Sequence, residues 1–451
     1  MKAWLQRNRL PAFAFALALL IFGATTGTRL RRQSSDPHFV LQAHAWLSGR
    51  LHVESWPSAA DDPAKVEEVE LDDGSLVRGR RIEVRRSFRL FGGQEVPVSR
   101  IKRTVRTIHH VSFPSFPAVL MLPQAAIHGP IANDVATTVI LAALVPAFFL
   151  VLLGRLRQAG LSTRTPREDA WLTALLTIGS VFFFSAVQGR VWFTAHVVGV
   201  LLATLYAWAS VGATRPFLAG LFLGLAFVTR SPMLFMFPLF LFEAARVSRR
   251  DRPALLRRMA WFAAPIMVIG LVAAWHNHAR FGELAEFGHS YLAVRQRAQI
   301  ERFGLFDLSY LSRNLSVALT LLPDFSRTPP FLSVSGHGMA IWITTPALLL
   351  LLWPRHRGPL HHALWTTVAM VAGWSLLYQN SGWVQFGYRF SLDYMVFLVM
   401  LLAVGARPLT RTVKGLILVG VLVNLFGAVT FHRYGKFYRS DTATYDCVVR
   451  D

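Results

Sequence analysis

Asp36 is the first residue whose type and position suggest chemistry. It lies in Ser34-Ser35-Asp36-Pro37-His38, immediately after a long apolar stretch. A carboxylate at the edge of an apolar environment is poorly hydrated and its proton affinity shifts, which suits a general base. An Asp before a proline also has the form of a helix N-cap, and the residues alone leave both readings open. Arg389 and Asp393 stand four apart in Gly387-Tyr388-Arg389-Phe390-Ser391-Leu392-Asp393-Tyr394. That spacing puts them on one helix face, either as a local ion pair or as a functional pair at a membrane helix end. Arg230 and Arg280 are candidates for gripping a phosphate, since a guanidinium binds its oxygens in pairs; each equally suits an interfacial anchor. His38 and Asp393 complete the set as supporting residues.

Other chemistries find less footing. The chain has 15 histidines, yet no His-Glu-x-x-His motif and no closed ligand set. His109-His110 and His361-His362 are adjacent pairs, and His196 sits within an apolar stretch, where a hydrogen-bonded packing role is expected. The single cysteine, Cys447, excludes a disulfide framework and a cysteine-based metal cluster. Glycine-rich nucleotide-binding motifs are absent, and Asn314-Leu315-Ser316 matches a glycosylation sequon, a pattern frequent by chance.

The elements that must position these residues follow from composition. Of 451 residues, 53% are hydrophobic and 16% charged, and mean hydropathy is +0.40. Soluble domains run near 45–50% apolar and about 25% charged, so the chain reads as a polytopic membrane protein. The net charge of +22 raises nucleic acid as a partner, but the apolar excess argues against it. Stretches of roughly 20 apolar residues fall at 11–27, 132–153, 169–188, 191–211, 216–230, 231–245, 260–275, 336–353, 361–379, 390–406 and 412–431, giving about 11 helices. The first resembles a signal peptide, but Arg29, Arg31 and Arg32 after it make a poor cleavage context, so it reads as a retained helix.

Basic residues crowd the short connections, including Arg155, Arg157, Arg164, Arg167, Arg246, Arg249, Arg250, Arg252, Arg257, Arg258, Arg355, Arg357, Arg407, Arg411 and Lys414. The positive-inside rule then puts the N-terminus in the cytoplasm and the C-terminus outside. The expected organisation is a first transmembrane helix (1–27), a first outer loop (28–130), a transmembrane bundle (131–275), a second outer loop (276–335), C-terminal transmembrane helices (336–431) and an outer tail (432–451). Within the first loop, 38–51 reads as an amphipathic helix and 113–129 as a short interfacial helix. Residues 66–111 alternate, with turns at Asp72-Asp73-Gly74 and Gly92-Gly93, and read as a small β-meander. A second amphipathic stretch lies at 308–323.

Five stretches together resemble the GT-C superfamily of polytopic glycosyltransferases, especially bacterial members related to protein O-mannosyltransferases and aminoarabinose transferases. They are DPHFVLQAHAWLSGRL (36–51), VSFPSFPAVLMLP (111–123), AGLFLGLAFVTRSP (219–232), NHARFGELAEFGHSYL (277–292) and WVQFGYRFSLDY (383–394). The resemblance is one of architecture and loose motifs, and it implies an all-α membrane bundle with a small β-containing insertion. It further implies transfer of a sugar from a polyprenyl-phosphate donor to a lipid, glycan or protein acceptor at the outer face of a bacterial inner membrane. The family's acidic residue after the first helix maps onto Asp36, the general base for the acceptor hydroxyl. The departing lipid phosphate calls for a cation, and Arg230, Arg280 and Arg389 are nominated. Many members carry a second acid or a divalent metal beside the first. Here Ser115 stands where proline is common and no acid flanks that segment; the nearest acids are Glu54, Asp61 and Asp62, so metal dependence stays open. The meander is longer than the simplest family pattern and is placed to contact the acceptor. Two other classes compete: a flippase for lipid-linked saccharides, and a non-catalytic membrane protein binding envelope glycan. Polar residues cluster at helix ends and in the long loops rather than at a midplane, which favours interfacial chemistry over transport.

Overall fold

The computed structural model describes residues 2–56, 62–292, 294 and 296–440, with side chains from residue 9. Asp61, Cys447 and the tail beyond 440 lie outside the described residues. The chain is mostly helical, with one small sheet inserted near its start. Five segments are long and apolar enough to cross a membrane: Arg9–Arg31, Asp134–Gln158, Val191–Ala213, Arg252–Phe281 and Arg411–Thr430. They contain α1 (Lys2–Thr26), α4 (Asp134–Gln158), α7 (Val191–Ser210), α10 (Arg252–Phe281) and α16 (Arg411–Thr430).

The other apolar stretches are also helical, but in shorter pieces. Residues 169–188 become α5 (Pro166–Thr177) and α6 (Phe182–Ala186). Residues 216–245 become α8 (Pro216–Phe227), a 3₁₀ turn over Ser231–Met236, and α9 (Pro238–Val247). Pro232 and Pro238 stand at the first turn of new helical segments, the position where the missing N–H and fixed φ of proline cost least. Residues 336–353 become α13 (Ile341–Thr344) and a 3₁₀ stretch, Pro346–Leu352. The remaining two are α14 (Pro359–Leu376) and α15 (Leu392–Val404). Side-chain caps fix several starts: Asn133, Asp251 and Thr410 each accept an orphan backbone N–H, and Thr165 with Glu168 forms a reciprocal capping box.

Burial sorts the long helices. The apolar window of α7 is 83% buried, against 17% for α10 and for the first segment. So α7 is the central post, packed by α4, α8 and α15, while α1 and α10 form the rim. Trp261, Leu271 and Trp275 of α10 point outward, as expected of a helix with lipid on one side. Close approach is bought by small residues. A Cβ on Gly220 of α8 would lie 1.9 Å from the Phe262 carbonyl oxygen of α10, and one on Gly224 would lie 2.8 Å from Ile269.

Between the first two long helices the chain forms α2 (His38–Leu47), a five-stranded antiparallel sheet and α3 (Phe116–His128). The strands are β1 (Pro63–Leu71), β2 (Leu76–Ile82), β3 (Ser87–Leu90), β4 (Glu95–Pro97) and β5 (Ile101–Val111), in spatial order β4-β3-β2-β1-β5. The alternation read from the sequence sets the faces: Val69, Leu71, Phe88 and Val96 pack together. Cross-strand ion pairs such as Glu67–Arg81, Glu68–Arg78 and Glu70–Arg103 hold the register outside. Much of the loop's basic charge is thereby matched on its own sheet. Ala64, Val66 and Ile108 pack on Phe281 and Tyr291, which fixes the sheet to the end of α10.

The second long loop holds α11 (Arg297–Phe303) and α12 (Leu311–Leu319). A small three-stranded sheet combines β6 (Asp324–Phe325), β7 (Leu332–Ser335) and β8 (Tyr438–Arg439). Asn314 of the apparent sequon is 1% exposed, and its amide donates to the carbonyls of Leu376 and Tyr378 at 2.8 and 2.7 Å. It braces a loop and is closed to modification in the folded state.

The α8–α10 contact yields a test. Gly220→Ala overpacks a backbone contact and lowers stability by about 1–3 kcal/mol. Gly270→Ala, whose Cβ meets nothing within 4 Å, is neutral or stabilising by about 0.5–1 kcal/mol. Thermal unfolding of the two variants in one detergent checks the contrast.

Candidate functional site

One cavity has a volume of about 620 Å³, within the roughly 300–1,000 Å³ of small-ligand sites. It opens where the sheet, the start of α7, the break after α8 and the loop before α15 meet. Its lining includes the apolar side chains of Phe227, Leu234, Phe235, Phe287, Phe306 and Trp374 and the polar ones of Asp62, His196, Arg230, His289, Gln379 and Arg389.

Arg230 leaves α8 in extended backbone (φ −151°, ψ 114°) just before a proline-led 3₁₀ turn, as a residue two before proline readily does. Its guanidinium meets Asp393 in a two-pronged pair, with Nη2 donating to Oδ2 at 2.8 Å. Asp393 is 1% exposed, and the Nδ1 of His196 lies 3.4 Å from its Oδ1. The guanidinium also lies 5.1 Å over the Phe390 ring, a cation–π contact.

The four-residue spacing of Arg389 and Asp393 does not make them partners. Arg389–Ser391 form a 3₁₀ turn and α15 begins only at Leu392, so the helical repeat never spans the pair. Arg389 instead donates from Nη1 to the Val384 carbonyl at 2.9 Å, and its guanidinium lies 5.3 Å over Phe193. Its buried Nε has no hydrogen-bond partner among the described residues. Arg230 and Arg389 therefore line one cavity.

Arg280 does not line it. It is 2% exposed and donates from Nη1 to the Val111 carbonyl at 2.9 Å and from Nη2 to Asn277 Oδ1 at 3.0 Å. This arginine ties α10 to the end of β5, and Asn277 is its local brace.

Asp36 is not a helix N-cap. The N-cap of α2 is Pro37, one residue further on. The Asp36 carboxylate accepts from Ser35 Oγ at 2.6 Å and lies 3.3 Å from Arg190 Nε, while its carbonyl accepts from the Val191 N–H. It does not line the cavity. His38, two residues on, turns the other way: its Nε2 is 3.0 Å from Asp62 Oδ1, and its ring lies 4.6 Å from Trp56.

Asp62, which the sequence offered only as one of the nearest acids in the loop, is the carboxylate that lines the cavity beside Glu286. It directly precedes β1, and Ser112 directly follows β5. The closing pair Pro63–Val111 of those strands brings the two together, and Ser112 Oγ donates to the Asp62 carbonyl at 2.9 Å. Asp62 is 9% exposed, and its Oδ2 has no hydrogen-bond partner among the described residues. A usable signal was present: an acid immediately before a strand whose partner leads into the apolar FPSFP segment.

Glu286 also lines the cavity, but its oxygens are engaged by Gly288 N–H and Ser290 Oγ of its own turn. Burial holds His289 below the usual imidazole range, against the pull of Glu286 and with the push of Arg230 and Arg280, so the ring is neutral near pH 7. Among the described residues no three His, Cys, Asp or Glu side chains gather as a metal-binding group. Asp62 and Glu286 do not fit one, since the second is consumed by its turn.

Compared with protein-family models, curated proteins and solved structures, the chain matches none of them.

The Arg230–Asp393 pair predicts a specific non-additivity. Asp393→Leu leaves the half-buried guanidinium of Arg230 without its counter-ion and destabilises by about 1.5–3 kcal/mol. Adding Arg230→Met in the same chain recovers at least half of that loss, read as unfolding midpoints of the two single variants and the double variant.

Proposed function

We propose that the protein is an integral membrane glycosyltransferase of the GT-C type. It takes a sugar from a polyprenyl-phosphate donor and passes it to an acceptor hydroxyl at the outer face of a bacterial inner membrane. The observation that carries this reading is one cavity with three chemically distinct parts. Its apolar and aromatic lining suits a prenyl chain, two guanidiniums suit the phosphate, and one carboxylate oxygen has no partner among the described residues. In the proposed topology the chain crosses the membrane about 11 times, with its N-terminus cytoplasmic and its C-terminus outside. Arginines at the ends of α4 and α9, Arg155, Arg157 and Arg246, agree with cytoplasmic ends there.

The roles follow from the geometry. Asp62 Oδ2 is the base that takes the proton of the acceptor hydroxyl, while His38 at Oδ1 fixes its orientation. The acceptor oxygen bonds to the anomeric carbon as the bond from that carbon to the phosphate oxygen breaks. The phosphate leaves as an anion toward Arg230 and Arg389, whose fixed charges need no rearrangement as negative charge develops. Asp393 holds Arg230 in place. We assign the base to Asp62 rather than to Asp36, whose carboxylate faces Arg190 outside the cavity.

Membranes given polyprenyl-phosphate sugars and envelope acceptors test the assignment. Asp62→Asn at normal expression is expected to lose transfer by about 10²–10⁴-fold, the usual range for removal of a general base. His38→Ala is expected to lower kcat with little change in donor KM. Full activity in Asp62→Asn together with loss in Asp36→Asn would return the base to Asp36. Unchanged transfer in both, and in Arg389→Gln, would remove the enzymatic reading.

A further inference from the structure

Behind the cavity, on the other side of Phe193, lies a second group of cations. It forms where the end of α1, the turn before α7 and the turn after α16 meet, and it gathers Arg29, Arg190 and Arg433 with Gln188 and His432. Arg29 Nη1 donates to Gln188 Oε1 at 3.3 Å. Arg190 Nε lies 3.3 Å from Asp36 Oδ2, and its Nη1 lies 3.3 Å from His432 Nε2. Arg433 Nη2 donates to the Thr25 and Thr26 carbonyls at 2.6 and 3.0 Å, satisfying the last turn of α1.

These contacts leave donors over. Arg29 Nε and Nη2 are buried, as is Gln188 Nε2, and none has an acceptor among the described residues. Gln188 is 3% exposed, so water does not freely serve it. Buried N–H groups without acceptors are rare in folded proteins and call for an explanation. The charge is also uneven: Arg190 faces the carboxylate of Asp36, while Arg29 stands near two further guanidiniums, those of Arg190 and Arg433. His432 does not offset it. Packing against Phe431 and Phe193, with the nearby charges of Arg190 and Arg29, pushes its imidazole down to about 3. The neutral ring accepts from Arg190 and adds no negative charge. Arg190 and Arg433 remain partly exposed, so the cluster is open to a ligand from outside.

We propose that this cluster is a second anion site, which takes a phosphate-bearing group. A tetrahedral oxyanion offers several acceptor oxygens to forks arriving from three directions. It would engage Arg29 Nε and Nη2 and the Gln188 amide together. The proposal requires nothing of the sugar-transfer reading, since these residues do not line the cavity. The phosphate could belong to a soluble molecule or to an anionic lipid headgroup, and the two arms below separate them.

Full-length protein in phosphatidylcholine nanodiscs is dialysed against radiolabelled inorganic pyrophosphate, and bound ligand per chain is counted. Arg29→Gln is expected to lower the count by one. Gln188→Leu, which keeps the arginines, is expected to weaken the same site by roughly tenfold, as loss of one charge-assisted hydrogen bond does. An unchanged count and unchanged half-saturation in both variants would overturn the proposal. So would a lower melting temperature in Arg29→Gln with unaltered binding, because the arginine would then be only structural. In nanodiscs containing phosphatidylglycerol, a tenfold or greater rise in half-saturating pyrophosphate at this site assigns it to the lipid headgroup. No rise assigns it to a soluble phosphate.

Discussion

The interaction on which the rest of the architecture depends is the buried pair between Arg230 and Asp393. Two charges within an apolar bundle are tolerable only when their geometry is good and their remaining sites are occupied. That requirement draws the end of α8, the start of α15 and His196 of α7 to one point. It also accounts for where the helices break. Irregular backbone inside an apolar bundle is stable only if it is buried in protein or lines a cavity. The 3₁₀ turns at Ser231–Met236 and Arg389–Ser391 meet that condition, while α1, α10 and α16 at the rim run unbroken. Two of the breaks, after α8 and before α15, thus carry the two partners of one ion pair, while α7 passes between them unbroken.

The sheet brings a carboxylate, Asp62, to the cavity that Arg230 and Arg389 also line. Asp62 is held from the sheet side by His38 and by the closing β1–β5 pair, on a different structural unit from Arg230 and Arg389. Arg280 braces that unit from α10 through the Val111 carbonyl. A residue that looked in sequence like a phosphate ligand is a strut, and the rigidity it lends falls on the strand end next to Asp62.

Much of the fold was readable because its signals are local. The apolar runs became helices, and alternation with Asp72-Asp73-Gly74 and Gly92-Gly93 became a meander. The amphipathic stretch at 38–51 became α2. The site was readable only in part. Arg230 and Arg389 were nominated because an arginine at an apolar boundary is conspicuous, and both line one cavity. Their surroundings were not legible, because Arg230 meets Asp393 across 163 residues of sequence and no periodicity encodes that. The Arg389–Asp393 spacing misled because a helical rule was applied across a helix start. Asp62 was named only as a nearby acid, because its place on the cavity follows from the pairing of Pro63 with Val111, and Asp36 lies beside Arg190 outside the cavity.

The closing pair Pro63–Val111 has a further consequence. The chain leaves the bundle and returns to it at adjacent points, so the exposed Asp72-Asp73-Gly74 tip lies at the far end of the β1–β2 hairpin from that junction. Loop tips of this kind absorb insertions readily. The turn at Gly92 is different, because Phe91 beside it packs against the end of α10. The arm therefore has one free end and one moored end, and only the free end can be lengthened without pulling on its base.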